Sequence, residues 1–455
     1  MKQTDFEHGS IPSNLIRTTL PMMVAQLLTL LYSIVDRIYI GKLPGMEGQD
    51  ALAGIGLCFP VIIMVTAFTN LFGSGGAPLC AMARGRHDSK KAAHIMNLSF
   101  SMLLYLSLLI MAIGELFHVP LLRLFGADDQ NLPYAAAYLW IYLLGTPGAM
   151  LSTGLVPYIY AQGYSQAGMT VVTLGALLNI ILDPLFIFVL HLGVSGAALA
   201  TILSQTISAL TAFVFLTGRR TELRLKLYSP SVLKSQGKAL LEIVTLGSAS
   251  FIMQFTNALV SVCCNGMLSS YGGSVAVTVM TIVSSVRQII DTPMLAMNEG
   301  ATPVLSYNYG AKRPARIRQT IVLITAAGLI YTIVLWGLIF FHPSWFIHIF
   351  NSDPSLHEAA VPALRIYFAA FVFQAFQYSG QTVFKALGKR GRAIFFSLFR
   401  KVVLVVPLTL MLPGLFHMGT NGVFLAEPVS NLIGGSACFI TMLLTILPEL
   451  KQMEE

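Results

Sequence analysis

Hydrophobic residues in this chain run in long blocks, without the alternation or one-sided patterning of a soluble domain. Twelve apolar segments can be counted, at 15–40, 51–80, 92–117, 133–160, 168–190, 195–217, 238–268, 274–306, 317–341, 358–386, 391–412 and 420–446. As a helix, each is long enough to cross about 30 Å of hydrocarbon. Only helices or closed barrels satisfy their backbone in lipid, and these segments are too long and continuous for barrel strands. The pattern predicts an all-α membrane protein of twelve transmembrane helices, divided six and six by a polar stretch at 218–237.

The two sixes repeat. LGVSGAALAT at Leu192–Thr201 returns as MGTNGVFLAE at Met418–Glu427, and YLWIY from Tyr138 returns as ALRIY from Ala363. Gly85 and Gly310 each open a basic loop. A polar stripe of Gln26, Thr29, Ser33 and Asp36 in the first segment matches Gln254, Asn257, Ser261 and Cys264 in the seventh. An even number of helices per half means that both halves enter from the same side. They form two six-helix lobes in a parallel pseudo-two-fold repeat about an axis along the membrane normal. Residues 1–217 make the first lobe, 218–237 a cytoplasmic link and 238–455 the second lobe.

Composition agrees. Of 455 residues, 55% are hydrophobic and 11% charged, against about 25% charged in a soluble domain. Mean hydropathy is +0.73. No cleavable leader is evident, so the first helix is expected to act as an uncleaved anchor. Cys58, Cys80, Cys263, Cys264 and Cys438 lie in apolar runs without metal-ligand spacing. The net charge of +8 invites a nucleic-acid reading, but its distribution argues against one. Arg84, Arg86, Lys90 and Lys91 fall in one set of loops. So do Arg219, Arg220, Arg224, Lys226 and Lys234, then Lys312, Arg313 and Arg316, and finally Lys389 and Arg390. The alternate loops hold little basic beyond Lys42 and Arg123, and carry Glu47, Asp50, Asp128, Asp129, Asp353 and Glu358. By the positive-inside rule both termini are cytoplasmic.

Within the fifth segment Asn179 and Asp183 stand at i and i+4 on one helical face, and Pro184 follows the acid. A carboxylate inside an apolar helix costs a few kcal/mol and by default marks an ion or substrate pathway. At about 1.5 Å per residue, Asp36, Asp183 and Thr201 all fall in the outer half of the first bundle, with Asn179 one turn deeper. Two carboxylates, an amide and a hydroxyl can bind Na⁺ through oxygen, or share a proton. Pro184 removes a backbone hydrogen bond and can kink its helix. The second half mixes signs: Arg287, Asp291, Glu299, Arg365, Arg400, Lys401 and Glu427. A salt-bridge network is the favoured reading there, with a second cation site as the alternative.

No G-x-x-x-x-G-K-[ST], H-E-x-x-H or G-x-S-x-G occurs, so neither ATP hydrolysis nor another enzyme activity is expected, and no cofactor. Gly73-Ser-Gly-Gly76 lies in an apolar helix and reads as close helix packing.

Across its whole length the chain resembles the multidrug and toxic compound extrusion (MATE) family. The carriers are Pro21 with VDRIYIG at Val35–Gly41, NIILDP at Asn179–Pro184, GVSGAALAT at Gly193–Thr201 and TPVLSYNYGAKR at Thr302–Arg313. The resemblance implies a two-lobed, V-shaped antiporter in the plasma membrane that exports amphipathic organic cations for Na⁺ or H⁺. It implies a first-lobe cation site at Asp36, Asn179, Asp183 and Thr201. Some members also use an acid on the seventh helix, where this chain has Gln254 and Asn257. The substrate route is expected between the lobes, past Pro21, Gln26, Thr29, Ser33, Tyr138, Gln254 and Asn257. Small organic molecules and the bilayer are the expected partners, with no nucleic acid, and the protein is expected to be a monomer. A flippase for lipid-linked precursors, of the same general fold, is the nearest alternative. It requires several unpaired basic residues in the cavity, so the placement of Arg287, Arg365, Arg400 and Lys401 discriminates. A membrane enzyme or receptor lacks any nucleophile–base or metal set.

Overall fold

The computed structural model describes residues 3–41, 47–219, 221–349 and 354–454. Lys42, Arg220 and Asp353 lie outside the described residues, as do the side chains of Arg37, Glu47 and Asp50. The regular elements are all helices, with no strand among the described residues. In order they are α1 (Ile11–Gly41), α2 (Glu47–Gly85), α3 (Ser89–Leu124), α4 (Leu132–Leu144), α5 (Thr146–Ala161), α6 (Ser165–Pro184) and α7 (Gly193–Thr217). There follow α8 (Pro230–Ser235), α9 (Gly237–Gly310), α10 (Pro314–Phe341), α11 (Pro343–His348), α12 (Pro354–Tyr367) and α13 (Val372–Ala386). The chain closes with α14 (Arg390–Leu398), α15 (Val406–Met411), α16 (Thr420–Ser430) and α17 (Ser436–Gln452).

The twelve expected spans are accounted for among these. Nine described helices are long and apolar enough to cross a membrane alone. Two more spans are bent pairs, α4 with α5 at 56° and α12 with α13 at 51°. The twelfth comes from α9, whose 74 residues are two helices meeting at Gly273, with φ +62°. The observed helices overrun the apolar segments at most ends, because hydropathy marks only the part matched to hydrocarbon. Three spans contain π-helical turns, at Leu185–Val189, Phe399–Val405 and Asn431–Gly435.

The repeat extends to the backbone. Left-handed residues recur in pairs: His87 with Lys312, Gly163 with Gly388, His191 with His417, and Gly193 with Gly419. Each pair is separated by the 225 or 226 positions of the sequence repeat. A non-glycine residue with positive φ is uncommon. Its return at His87 and Lys312, with unlike side chains, shows that the loop geometry repeats there where the sequence has diverged.

The residues cluster into two compact units, Met1–His8 with Leu20–Phe251, and Gly9–Thr19 with Ile252–Glu455. The divisions therefore fall just before α1, inside α1 and inside α9, and none falls in the stretch 218–237. In the first unit α5 packs on α2, α3 and α7, and α6 lies along α7. Glycines let α2 approach its neighbours: a Cβ on Gly73 would stand 3.3 Å from the Gly154 backbone, and one on Gly75 2.7 Å from the Gly247 nitrogen. The glycine run is thus a packing surface. In the second unit α13 packs on α10 and α17, and α16 on α12 and α15. Its core includes Leu268, Val283, Val286, Leu364, Phe368 and Phe371.

The stretch expected as a polar link is an ordered strap on the first unit. Leu223, Leu225 and Leu233 are buried. The backbone N–H groups of Leu223, Lys226 and Tyr228 donate to Gln162 Oε1 (3.2 Å), Asn97 Oδ1 (2.8 Å) and Ser101 Oγ (2.9 Å). Arg84 pairs with Glu222 at 3.0 Å. Glu222 also accepts from Ser89 Oγ at 2.5 Å. Burial opposes ionisation of Glu222, but these hydrogen bonds and the Arg84 charge outweigh it and lower its pKa below the ordinary 4.5.

Candidate functional site: a polar cluster in each unit

In the first unit α6 carries Asn179 and Asp183 one turn apart, and α7 brings Thr201 beside them. Asn179 Nδ2 donates to Asp183 Oδ1 at 3.2 Å and to Thr201 Oγ1 at 3.4 Å. Asp183 is fully buried and Asn179 is 3% exposed. Among the described residues neither Asp183 Oδ2 nor Asn179 Oδ1 has a hydrogen-bond partner. Asp36, on α1, interacts electrostatically with Asp183, and Tyr32 with both carboxylates. An acid, an amide and a hydroxyl from two helices are thus joined by hydrogen bonds, with the Asp36 carboxylate on α1 within electrostatic range of Asp183.

Below Pro184 the helix is α; directly after it the ladder widens into the π turn of Leu185–Val189, where Leu190 N–H reaches back to Leu185 C=O at 2.9 Å. The proline cannot donate, so the regular ladder is interrupted next to the acid. Beside the cluster is a cavity of about 90 Å³ lined by Thr29, Tyr32, Asn179, Thr201, Ser204 and Gln205, among others. Ser204 Oγ and Gln205 Oε1 also have no protein partner. Tyr32, Ser204 and Gln205 were not anticipated from the sequence. The signal was present for two of them, because Thr201, Ser204, Gln205 and Ser208 form a polar stripe at i, i+3, i+4 and i+7.

The remaining residues expected along a substrate route divide. Thr29 lines the first-unit cavity, whereas Gln254 and Asn257 line a second-unit cavity. Pro21, Gln26, Ser33 and Tyr138 line neither. Pro21 sits within α1. Thr29 and Ser33 donate back to the carbonyls of Ala25 and Thr29, both at 3.0 Å. Tyr138 is buried and stacks on Tyr142, with ring centroids 6.3 Å apart.

The second-unit cavity measures about 330 Å³. Its charged residues are connected. Arg287 Nη1, Arg400 Nη1 and Lys401 Nζ approach the same atom, Glu427 Oε1, at 2.6, 2.9 and 3.4 Å. Arg287 Nε also pairs with Asp291 Oδ2 at 3.0 Å, and Gln374 Nε2 donates to Asp291 Oδ1 at 2.9 Å. Arg287 further donates to the Tyr367 hydroxyl, and Arg400 to Asn431 Oδ1 at 2.5 Å. Arg287, Asp291, Arg400 and Glu427 thus belong to one network, which also takes in Lys401. Arg365 stands apart, donating to Phe340 C=O at 3.1 Å and lying over the Phe340 ring. Cys264, the counterpart of Asp36 in the repeat, is buried with its sulfur 3.8 Å from Thr409 Oγ1.

Comparison with known proteins now bears on this arrangement. The MatE family model matches the chain twice, at residues 21–185 and 249–411. The two matches begin 228 and end 226 positions apart, in register with the internal repeat. The multidrug export protein MepA of Staphylococcus haemolyticus is 27% identical over 419 residues, covering 92% of this chain and 90% of that protein. MepA of Staphylococcus aureus (strain NCTC 8325 / PS 47) is 25% identical over 444 residues, covering 97% and 94%. Among solved structures, an outward-facing multidrug resistance MATE family transporter of the MOP superfamily superposes with a TM-score of 0.91 at 23% identity, covering 99% of this chain and 100% of that one. With the family matched in both halves and the twelve-helix fold shared, the chain belongs to the MatE family and is a multi-pass membrane transporter of the multidrug and toxic compound extrusion (MATE) type.

Proposed function

We propose that the protein is a secondary antiporter that exports amphipathic, mostly cationic organic compounds across the plasma membrane in exchange for Na⁺ or H⁺. Coupling runs through Asp36, Asn179, Asp183 and Thr201. The observation that carries this reading is the buried pairing of Asn179 with Asp183 and Thr201, in which Asp183 Oδ2 and Asn179 Oδ1 lack protein donors. An unpartnered carboxylate oxygen in an apolar helix is costly unless an ion or proton joins it. A small cation finds oxygen ligands there, and a proton finds two interacting carboxylates to share it.

The coupling ion acts as a second ligand of the transporter. Its binding changes substrate affinity only as far as it binds one conformation better than the other, and the effect is reciprocal. The π turn after Pro184 supplies a local element for such a difference, because its hydrogen bonding is not locked to the α ladder. Both termini are cytoplasmic in this proposal, and the protein works as a monomer.

The test is efflux of a fluorescent organic cation from proteoliposomes driven separately by an imposed proton or sodium gradient. Asp183→Asn and Asp36→Asn should each abolish gradient-driven efflux while the protein still reconstitutes. Wild-type efflux by either variant overturns the assignment. A lipid-linked-precursor flippase is less well supported. Arg287, Arg400 and Lys401 do line a cavity, but Asp291 and Glu427 leave only one positive charge in excess there, where a pyrophosphate calls for several, and Arg365 is not among its lining residues.

A further inference from the structure

The second-unit cavity has an unbalanced charge. Arg287, Arg400 and Lys401 line it together with only two carboxylates, Asp291 and Glu427, which leaves a formal excess of one positive charge. Among the described residues Asp291 forms an ion pair with Arg287 alone, so Arg400 and Lys401 share Glu427 with each other and with Arg287. Arg400 and Lys401 are 9% and 6% exposed. A buried cation without a full counter-ion is costly, and an anion entering beside it removes that cost.

The cavity wall adds a second, independent signal. Gln377 and Gln381 line it, each 8% exposed, and the Oε1 atom of each has no protein donor. The orientation of Gln381 is set by its Nε2, which donates to Ala393 C=O at 2.7 Å and to Ser397 Oγ at 2.6 Å. An acceptor remains on that side chain for a ligand N–H or O–H. At about 330 Å³ the space lies at the lower end of small-molecule sites.

We propose that this cavity binds a small organic carboxylate that also bears an N–H or O–H donor. The acid group sits beside Lys401 and Arg400, and the donor meets the Gln377 and Gln381 carbonyls. Such a ligand balances the surplus charge and satisfies the open acceptors at once. A cation would meet three like charges here, so the site differs in sign from the first-unit cluster. The inference does not depend on efflux. A protein that binds the acid but moves nothing in vesicles leaves it intact while failing the antiport reading.

The test uses purified full-length protein in nanodiscs of zwitterionic lipid. Equilibrium dialysis compares indole-3-acetate with indole-3-acetamide, a neutral molecule of nearly the same shape that keeps the ring N–H. The acid should bind at least tenfold more tightly than the amide. Lys401→Met should erase that preference, and Lys401→Arg should keep it. Equal binding of the two probes by the wild type, or no binding of the acid, overturns the proposal without reference to any variant. So does an undiminished acid preference in a monodisperse Lys401→Met protein. Displacement of the acid by chloride at submillimolar concentration would make the occupant an inorganic anion and overturn the carboxylate assignment.

Discussion

Glu427→Gln is the most informative single change in the second unit. One oxygen, Oε1, receives Arg287, Arg400 and Lys401 at 2.6, 2.9 and 3.4 Å, and the side chain is 5% exposed. The amide is nearly isosteric, so packing is preserved and the charge is isolated as the variable. Removing it leaves three buried cations facing Asp291 alone, a local excess of two positive charges. Breaking a buried ion pair by deleting one partner costs about 3–5 kcal/mol, mainly because the other charge stays buried without its counter-ion. The cost should be expressed as a fall in thermal midpoint of the purified protein at neutral pH. Unfolding of a membrane protein in detergent is rarely reversible, so the comparison is made at one scan rate. Glu427→Gln/Lys401→Met restores the wild-type balance of one excess charge, and should recover at least half of the lost midpoint. A single variant within 1 °C of wild type, or a double variant no better than the single one, refutes the charge-balance argument.

Other sites give sharper tests of single contacts. Thr201→Val removes the hydroxyl that accepts from Asn179 at 3.4 Å; the loss of one such bond, about 0.5–1.5 kcal/mol, should weaken coupling-ion affinity about two- to tenfold in a titration of efflux against ion concentration. Gly247→Val places a side chain against the Leu71 carbonyl, where α9 meets α2; overpacking of this kind costs about 1–3 kcal/mol or more and should lower the yield of monodisperse protein, whereas Gly237→Ala, with open space around it, should not. Glu222→Gln tests the strap by pH. Because the folded pKa of Glu222 is depressed, its ionised form stabilises the fold above the ordinary value of 4.5, and the contribution is lost as pH falls through the lower, folded value. The midpoint difference between wild type and Glu222→Gln should therefore be present at pH 7 and shrink below about 4.5; a difference that is flat across that window contradicts the linkage.

Much of the architecture was legible because the bilayer imposes its own length scale on the sequence. Twelve apolar blocks give the spans, and the repeated LGVSGAALAT and MGTNGVFLAE segments give the two halves. The breaks were less visible. Gly145 between α4 and α5, and the turns between α12 and α13, sit in apolar sequence, where hydropathy does not distinguish a bent helix from a straight one. The cluster of Asn179, Asp183 and Thr201 could be read from helical spacing and depth, since both are local geometry. The packing of the link at 218–237 was not legible for the opposite reason. Its polar side chains look like solvated linker, but its backbone N–H groups find acceptors at Gln162, Asn97 and Ser101, far away in sequence. Contacts of that kind leave no periodic trace.

The two polar clusters share a construction that the sequence repeat alone does not reveal. In α6 an amide precedes an acid by one turn, a proline follows the acid, and a π turn follows the proline: Asn179, Asp183, Pro184 and Leu185–Val189. In α16 an acid is followed by a proline, an amide lies one turn on, and that amide opens a π turn: Glu427, Pro428, Asn431 and Asn431–Gly435. The positions are not equivalents in the repeat, since Glu427 aligns with Thr201 and not with Asp183. What they have in common is physical. Proline withholds a backbone donor close to the acid, and the wider turn absorbs the lost register. The surroundings then set opposite chemistry. Among the described residues no donor reaches Asp183 Oδ2, whereas one oxygen of Glu427 receives three cations. A π turn beside an open carboxylate suits the cation coupling proposed for the first unit. The same turn beside a carboxylate that three cations share suits the anion proposed for the second unit, so the two proposals place ligands of opposite sign beside one kind of backbone.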